Sequence, residues 1–174
     1  MRNSLYILAI IVLLALPARA DDGLGYILGV GDKLRITVFG EPDLSGEFQV
    51  SSTGTVSMPL INEVPASNLS LRRFRAAVLR RLAKGYLKHP HVSVEVLNYR
   101  PFFILGEVMK PGSYNYVVGM TVITAVAVAG GYTYRADSDD IRIKRGGLNA
   151  KEEEAKEDTM VQPGDVINVT ERFF

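Results

Sequence analysis

Two groups of residues in this sequence are of types that bind metal ions, and each lacks part of what a site needs. His89 and His91 flank a proline and could share one strand face, but two histidines without a third ligand do not make a metal site. Asp137, Asp139 and Asp140 are the residue types of a calcium loop, yet the central glycine and terminal glutamate of such a loop are missing. We expect a surface turn at the histidines and a polar turn at the aspartates.

Signatures of cofactor binding and covalent catalysis are also incomplete. Gly23, Gly25 and Gly29 resemble a dinucleotide fingerprint loosely, because the third glycine comes one residue late and a strand follows where a helix must stand. No G-x-S-x-G elbow occurs, and the chain has no cysteine to act as nucleophile, zinc ligand, disulfide partner or lipid anchor. The sequence therefore predicts a protein that is not an enzyme and that binds no cofactor or metal.

Tyrosines are the remaining unusual feature. Tyr114 and Tyr116 are two residues apart, as are Tyr132 and Tyr134, so that each pair would face one side of a strand. Paired rings suit the apolar faces of sugars and also suit protein interfaces. Ordinary packing at the core and edges of a sheet is the alternative. We take the four tyrosines as candidate contacts to a polymer or to another protein.

The N-terminus predicts export from the cytoplasm. Arg2, the apolar run from Leu5 to Leu16 and the small residues of Ala18-Arg19-Ala20 are typical of a cleaved signal peptide over residues 1–20. An uncleaved membrane anchor is the alternative. Cleavage would leave a net charge near −1, which gives no electrostatic support for nucleic-acid binding.

Period-two alternation marks the strands of the first half. Residues 33–39 alternate apolar and polar side chains, which is typical of a half-buried strand. Two short apolar segments surround Ser52-Thr53-Gly54, where the glycine permits a hairpin turn that closes on Met58-Pro59-Leu60. A further strand is predicted over 91–99, with its valines facing inward.

One amphipathic helix is predicted between these strands, from Leu71 to Lys84. Ser70 or Asn68 would cap its start and Gly85 would end it. Arg75 breaks the apolar face. Its side chain either extends over the edge of the core or meets an acid on a neighbouring subunit.

The second half predicts deeper burial. The segment 101–108, "PFFILGEV", has a more continuous apolar run and predicts a more deeply buried strand. Lys110-Pro111-Gly112 predicts a tight turn. Residues 120–129 predict a short helix that is apolar on almost every side and must be buried, ended by two glycines. The charged run 151–158 predicts a helical turn or a loop.

A local motif occurs twice. Gly31-Asp32 and Gly164-Asp165 both open the pattern G-D-x-apolar-x-apolar, a turn followed by a strand. The sequence therefore predicts an α+β protein of two small modules, each with short strands and one helix, over residues 21–99 and 100–174. The residues expected to shape the turns are Gly31, Asp32, Gly106, Pro111, Gly112, Gly130, Gly131, Pro163, Gly164 and Asp165.

Five stretches in a fixed order carry a family resemblance. They are "YILGVGDKLRITVFGEPDLSGEFQVSSTGTVSMPLINEV", "YLKHPHVSVEV", "FILGEVMKPGSYNY", "AVAVAGGYT" and "VQPGDVINV". Together they resemble the periplasmic polysaccharide export proteins of capsule and exopolysaccharide secretion. The first half is similar to the polysaccharide export domain and the second half to the soluble-ligand-binding β-grasp domain. The sequence departs from the family pattern at Thr53, where aspartate is usual, and at Asn62, where glycine is usual. We expect the first to change only the hairpin turn, whereas the second leaves the backbone conformation at Asn62 open.

The resemblance implies a non-enzymatic role at the outer membrane. Subunits of such a family form a ring through which the polysaccharide chain passes, with an inner-membrane co-polymerase that carries a tyrosine-kinase-like region as partner. The sequence carries neither the C-terminal amphipathic helix nor the lipidated cysteine of larger relatives, so a separate outer-membrane barrel is an expected partner. The basic helix face and the acidic run 152–158 are candidates for the contact between subunits. A soluble periplasmic carbohydrate-binding module and a structural adaptor of a secretion complex are the alternative functions.

Overall fold

The computed structural model describes residues 26–146 and 150–172. The predicted signal peptide lies outside these residues. No helix among them has the length and apolar character needed to cross a membrane.

Two hydrophobic cores divide the elements into two groups. The first core is built from residues between Leu28 and Leu82, and the second from residues between Phe102 and Val169. We call residues 26–100 the first module and residues 101–172 the second module. The elements of the first module are β1 (Lys33–Val38), a 3₁₀ turn (Pro42–Leu44), β2 (Gly46–Gln49), β3 (Thr55–Met58), β4 (Asn62–Pro65), α1 (Leu71–Ala83) and β5 (Val92–Asn98). Those of the second are β6 (Phe102–Gly106), β7 (Gly112–Tyr114), α2 (Val122–Val128), β8 (Ala136–Lys144), β9 (Glu152–Ala155) and β10 (Val166–Glu171).

The sheets differ between the modules. The first module has an antiparallel sheet in the order β2-β1-β5 and a separate β3-β4 pair. The second has one five-stranded sheet in the order β7-β6-β10-β8-β9, in which only β6 and β10 are parallel. With one α-helix packed on strands in each module, the predicted α+β fold class is confirmed.

The predictions for β1 and α1 are confirmed. Leu34, Ile36 and Val38 of β1 are buried while the residues between them are exposed. The helix begins after Ser70, whose hydroxyl accepts a hydrogen bond from the backbone N–H of Arg73. Its apolar face includes Phe74, which is fully buried, and burying a side chain of that size contributes about 1.5–3 kcal/mol.

The hairpin predicted around Ser52-Thr53-Gly54 is wrong. Gly54 does take a positive φ of 78°, but β2 pairs with β1, and β3 pairs with β4. The second pairing buries Val56 and Val64 in the first core. The turn that closes it contains Leu60 at φ 66° and Asn62 at φ 53°. Asn62 therefore takes the left-handed conformation for which a glycine is the usual residue, and asparagine tolerates it better than most side chains.

The burial predicted for β6 is wrong on one face. Phe102 and Ile104 are fully buried, but Phe103 and Leu105 are 42% and 46% exposed. The physical reason is that α2 covers only one face of the five-stranded sheet, as the makeup of the second core shows. The other face of β6 has no covering layer among the described residues.

The complete burial predicted for α2 is also wrong. Val122, Ala125 and Val126 are buried, whereas Ile123 and Val128 are 41% and 51% exposed. A helix lying on a sheet buries one stripe only. The solvent-facing side of α2 is therefore apolar, although it does not belong to the hydrophobic core.

Charged segments form strands where turns were predicted. Glu152–Ala155 is the edge strand β9, paired with β8 alone. The three aspartates Asp137, Asp139 and Asp140 lie in β8 and not in a polar turn. Pairing with neighbouring strands overrides the local turn preference of these residues in both places.

Candidate functional site

The repeated motif forms the same turn in both modules. In residues 29–32 and 162–165 the backbone N–H of the fourth residue donates to the carbonyl of the first, at 3.2 and 3.1 Å. Gly31 and Gly164 occupy the third position with φ of 92° and 86°. A positive φ at that position is the requirement of a type II turn, and Pro163 supplies the fixed φ favoured before it.

Each turn is closed by its aspartate. The Asp32 carboxylate accepts the backbone N–H of Gly29 at 2.8 Å, and the Asp165 carboxylate accepts that of Gln162 at 2.8 Å. Both aspartates are buried, with 0% and 2% of their surfaces exposed. An ionised carboxylate in such a place must be compensated by hydrogen bonds or a positive charge.

Arg100 compensates Asp32. Its backbone N–H donates to Asp32 Oδ1 at 3.0 Å, and its Nη1 lies 3.3 Å from Asp32 Oδ2 and 2.7 Å from the Tyr26 hydroxyl. The Tyr26 hydroxyl itself donates to Asp32 Oδ2 at 2.5 Å. Burial and this hydrogen bond raise the pKa of Tyr26, so that the hydroxyl keeps its proton. Two modules meet at this cluster, because Arg100 is the last residue before the second module.

Two glycines make room for the Arg100 side chain. A Cβ added at Gly164 would lie 2.7 Å from Arg100 Nε, and one added at Gly29 would lie closer still to Nη1. The Gly164 N–H also donates to the Pro101 carbonyl at 3.0 Å. The segment Arg100-Pro101 between the modules is therefore hydrogen-bonded to the turns of both modules.

Asp165 receives its hydrogen bonds within its own module. Arg145 Nε lies 3.3 Å from Asp165 Oδ2, and Arg145 Nη2 donates to the Met160 carbonyl at 2.7 Å. Burial raises the pKa of Asp165, while the Gln162 N–H, Arg145 and the charge of Arg100 act in the opposite direction. The carboxylate therefore has fewer donors than that of Asp32.

Three tyrosine rings are in contact across the boundary between the two modules. Tyr26 and Tyr99 meet edge to face with ring centroids 4.7 Å apart, and Tyr99 meets Tyr116 in the same way at 5.3 Å. Burial raises the pKa of Tyr99. Tyr116 is thus a junction residue in this structure, and its contact with a polymer stays a prediction.

The structure separates the rings of one predicted tyrosine pair and keeps both members of the other against the second core. Tyr114 stacks on Phe102 at 6.0 Å and its hydroxyl donates to the Lys110 carbonyl, so its ring has a different partner from that of Tyr116. Tyr132 is half-buried and donates to Glu157, whereas Tyr134 lies in a turn with 89% of its surface exposed. Partial burial and the Glu157 carboxylate raise the pKa of Tyr132 to about 12. The pair of Tyr132 and Tyr134 is wrong because regular strand geometry is missing between these residues, and a polymer contact of Tyr114 and Tyr116 stays a prediction.

The remaining predicted turn residues shape the ends of elements. Gly106 ends β6 at φ 81°, where an added Cβ would run into the carbonyl oxygen of Val169 on β10. Gly130 and Gly131 end α2 with φ of 89° and 92°. Pro111 leads into β7, and Gly112 is already the first residue of that strand, without a positive φ. The turn therefore lies before Gly112 and not around it.

Arg75 is exposed on α1 and lines an open cleft with Phe39 and His91. Within the described chain it has no hydrogen-bond or ion-pair partner. Of the two possibilities for Arg75, extension over the edge of the core agrees with this position. A contact with an acid of another subunit stays a prediction.

The two modules carry opposite charge. Residues 26–100 contain ten basic and six acidic side chains, a difference of +4, and residues 101–172 contain eight basic and eleven acidic ones, a difference of −3. The outer face of α1 includes Arg80 and Lys84, which line a depression of about 390 Å³. Residues 154–158 line another of about 590 Å³ together with Ser138 and Asp139. One is lined by basic side chains and the other mainly by acidic ones.

Within residues 26–146 and 150–172, no three His, Asp or Glu side chains are grouped so that they could hold a metal ion. Every buried side-chain nitrogen or oxygen there has a hydrogen-bond partner.

Sequence reasoning missed Tyr26 and Arg100. The position of Arg100, directly before the proline that separates the modules, was the available signal.

Comparison with known proteins gives matches over both modules. A family model described as "Polysaccharide biosynthesis/export protein" matches residues 20–97, and one described as "SLBB domain" matches residues 101–157. The exopolysaccharide production protein ExoF of Rhizobium meliloti is 35% identical over 150 residues, 79% of this chain and 34% of that protein.

Two further relatives are more distant or shorter in overlap. The polysialic acid transport protein KpsD of Escherichia coli is 27% identical over 124 residues, 70% of this chain and 22% of that protein. The EPS I polysaccharide export outer membrane protein EpsA of Ralstonia nicotianae is 34% identical over 112 residues, 62% and 29% of the two chains. The chain thus spans about a third or less of the length of these relatives.

Proposed function

Because the chain belongs to the polysaccharide export protein family, we propose that it exports a capsular polysaccharide or exopolysaccharide across the periplasm and outer membrane. It does so as one subunit of a ring and without catalysing a reaction. The observation that carries the proposal is the succession of two family matches along one chain, each over one of the two modules. The names of the three relatives, which refer to exopolysaccharide, polysialic acid and the EPS I polysaccharide, support the class of cargo.

The junction supports the role of a rigid subunit. Arg100 and the two glycine–aspartate turns hold the modules by hydrogen bonds from both sides. A ring that leaves a passage of fixed width needs subunits whose two halves keep their relative position. A flexible linker in place of this cluster would argue against such a role.

Charge supports a head-to-tail contact between subunits. The contact in a ring is heterologous, which means that two different surfaces of the same chain must fit each other. The basic outer face of α1 and the acidic segment 152–158 are such surfaces. Opposite charges guide docking and fix its register, and they contribute less to affinity than apolar contacts do.

The proposal includes partners and a location. The chain acts in the periplasm at the outer membrane, after removal of its signal peptide. The polysaccharide passes from an inner-membrane co-polymerase with a tyrosine-kinase-like region, and a separate barrel protein carries it through the outer membrane. Polymer contacts inside the ring are weak and repeated, because a chain bound tightly at each sugar could not move.

Deletion of the gene tests this function. We expect surface polymer to be lost while polymer synthesis continues and material accumulates inside the envelope, and we expect the intact gene to restore the surface polymer. A normal surface coat in the deletion strain would exclude an export role. Loss of polymer both inside and outside the cell would point to a role in synthesis instead.

A further inference from the structure

Phe39 is an exposed aromatic residue whose side chain does not contribute to the hydrophobic core. The alternation of β1 continues past Val38, so that Phe39 points away from the first core and has 81% of its surface exposed. Its backbone is nevertheless fixed, since its N–H donates to the His91 carbonyl at 2.9 Å. The loop that follows is tied back by Ser45, whose hydroxyl accepts the Val38 N–H at 2.9 Å and donates to the Glu41 carbonyl at 2.9 Å. A large apolar ring is thus held in place at the surface, where it gains nothing from the core.

An open cleft of about 600 Å³ begins at this ring. Leu79 of α1 and Val92 of β5 provide its apolar lining, and Arg75 stands on the helix side. The cleft lies between the helix and the end of the β1-β5 pair, so its walls belong to rigid elements. Rigid walls hold binding groups more precisely than a loop does.

Hydrogen-bonding groups surround the apolar lining. Thr37 and Ser93 are partners across β1 and β5, and both side chains are exposed at the cleft. His91 adds an imidazole. A sugar ring has one apolar C–H face and a rim of hydroxyl groups, so an aromatic ring bordered by hydroxyls and an imidazole matches its two kinds of surface.

The charge of the cleft selects among sugars. None of the residues that line it is acidic, and helix α1 contains no aspartate or glutamate over its whole length. The residues three and four positions from Arg75 on that helix are Leu71, Arg72, Val78 and Leu79, so no carboxylate reaches it from its own helix. An arginine without an acidic partner fits a carboxylate in a planar, bidentate geometry.

We propose that the cleft between Phe39 and Arg75 binds an acidic sugar unit of the exported polymer, with the ring of Phe39 against a sugar face and the Arg75 guanidinium on a carboxylate. This proposal rests on the function proposed above and names one contact point of its cargo. The polar groups set among the apolar ones favour a sugar over a second protein chain, because a protein interface of this kind buries its aromatic residue in a dry, well-packed centre.

A binding experiment tests the site with two probes that differ in charge. The purified chain, labelled with ¹⁵N and diluted until it is monomeric, is titrated with a hexamer of galacturonic acid and, separately, with the neutral maltohexaose. We expect saturable shifts of the Phe39 and His91 amide signals with the acidic hexamer at about 1 mM, where one contact is weak enough to release its ligand. The neutral hexamer should bind about tenfold more weakly.

Variants separate the two contacts. Arg75→Gln should bind the acidic and the neutral hexamer equally, and Phe39→Ser should weaken both by about tenfold. Lys88→Gln and Tyr86→Ser change an exposed basic residue and an exposed tyrosine of the same module outside the cleft, and they should leave both affinities unchanged. Because Phe39 and Arg75 are exposed, all four variants should keep the parent unfolding midpoint.

Three results would overturn the proposal. They are the absence of saturable shifts with the acidic hexamer at about 10 mM, equal binding of both hexamers by the parent, and equal losses in the control variants. A fall in oligomer mass on Phe39→Ser without sugar binding would assign the cleft to a contact between copies instead. Loss of surface polymer in the deletion strain together with any of these results would leave the export function standing and reject only this site.

Discussion

The two modules use the same turn and fix it with different partners. In the first module Asp32 receives four donors, two of them from Arg100 at the boundary with the second module. In the second, Asp165 receives its donors from Gln162 and Arg145 of its own module. The sequence repeat alone gives no sign of this difference. It shows that the carboxylate of a repeated turn can be bound by residues of its own module in one place and by the residue at the module boundary in another.

The largest expected effect comes from removing the two aspartates. Asp32→Ala leaves Tyr26, Gly29 and Arg100 without their common acceptor in a buried place, so we expect the free energy of unfolding to fall by about 3 kcal/mol or more. Asp165→Ala should cost about 1–2 kcal/mol, because the Arg145 side chain is 36% exposed and can be solvated. Urea unfolding followed by circular dichroism measures both.

Asp32→Asn is the control for this prediction, because it keeps one oxygen acceptor and the shape of the side chain. Its cost should lie below that of Asp32→Ala. If Asp165→Ala costs as much as Asp32→Ala or more, the difference drawn between the modules is wrong.

The next largest effect on stability comes from filling the space that the Arg100 side chain occupies. Gly164→Ala and Gly40→Ala both place a Cβ at a positive φ, of 86° and 81°, but only the first meets another residue. We expect about 1–2 kcal/mol from the conformation alone at Gly40, and a clearly larger loss at Gly164, where Arg100 must also move. Equal losses in thermal unfolding would mean that the Arg100 side chain is not held there.

A smaller effect is the pH dependence of stability that Tyr132 of the second module causes. The folded pKa of Tyr132, about 12, lies above its ordinary value of 10.0, so the folded chain holds this proton more tightly than the unfolded chain. The stabilisation is complete below about pH 10 and is lost as the pH rises toward about 12. Tyr132→Phe should remove this part of the pH dependence, about 1 kcal/mol because the ring is only partly buried.

Measuring that slope requires urea unfolding at several pH values between about 9 and 12. Tyr134→Phe is the matched control, since it removes the same hydroxyl from a tyrosine with 89% of its surface exposed. An unchanged slope in Tyr132→Phe would show that the hydrogen bond to Glu157 does not persist in solution.

The smallest effect on stability should come from Tyr134→Ser. A surface side chain away from caps and ion pairs changes the free energy of unfolding by about 0.5 kcal/mol or less. If Tyr134 is a polymer contact, surface polymer in cells should nevertheless decrease, while Tyr86→Ser leaves it normal. Unchanged surface polymer in Tyr134→Ser would remove this tyrosine from the candidate contacts.

Local signals in the sequence predicted a large part of the fold. The period-two alternation of β1 and the serine cap and glycine end of α1 depend on neighbouring residues, and all three are confirmed. The partner of β3 was missed, because the turn to β4 uses Leu60 and Asn62 at positive φ and contains no glycine that would mark it. The exposed face of β6 was missed because Phe103 and Leu105 are as apolar as the buried residues beside them.

The junction could not be predicted in the same way. Asp32 and Arg100 are 68 positions apart in the chain, and no local pattern connects them. The pairing of Tyr132 with Tyr134 failed for a related reason, since spacing places two residues on one face only while the strand continues. Long-range contacts and the ends of strands are the features that composition and periodicity leave undetermined.

The central claim is that copies of this chain fit head to tail through opposite charges on the two modules. Two variants test it by sedimentation velocity: Arg80→Gln with Lys84→Gln removes charge from the outer face of α1, and Glu152→Gln with Glu154→Gln removes it from β9. We predict that the parent chain assembles at low salt, that neither variant assembles alone beyond a monomer, and that an equal mixture forms pairs, because each variant keeps one intact surface. A parent chain that stays monomeric at high concentration and low salt, or variants that assemble alone as the parent does, would contradict the claim.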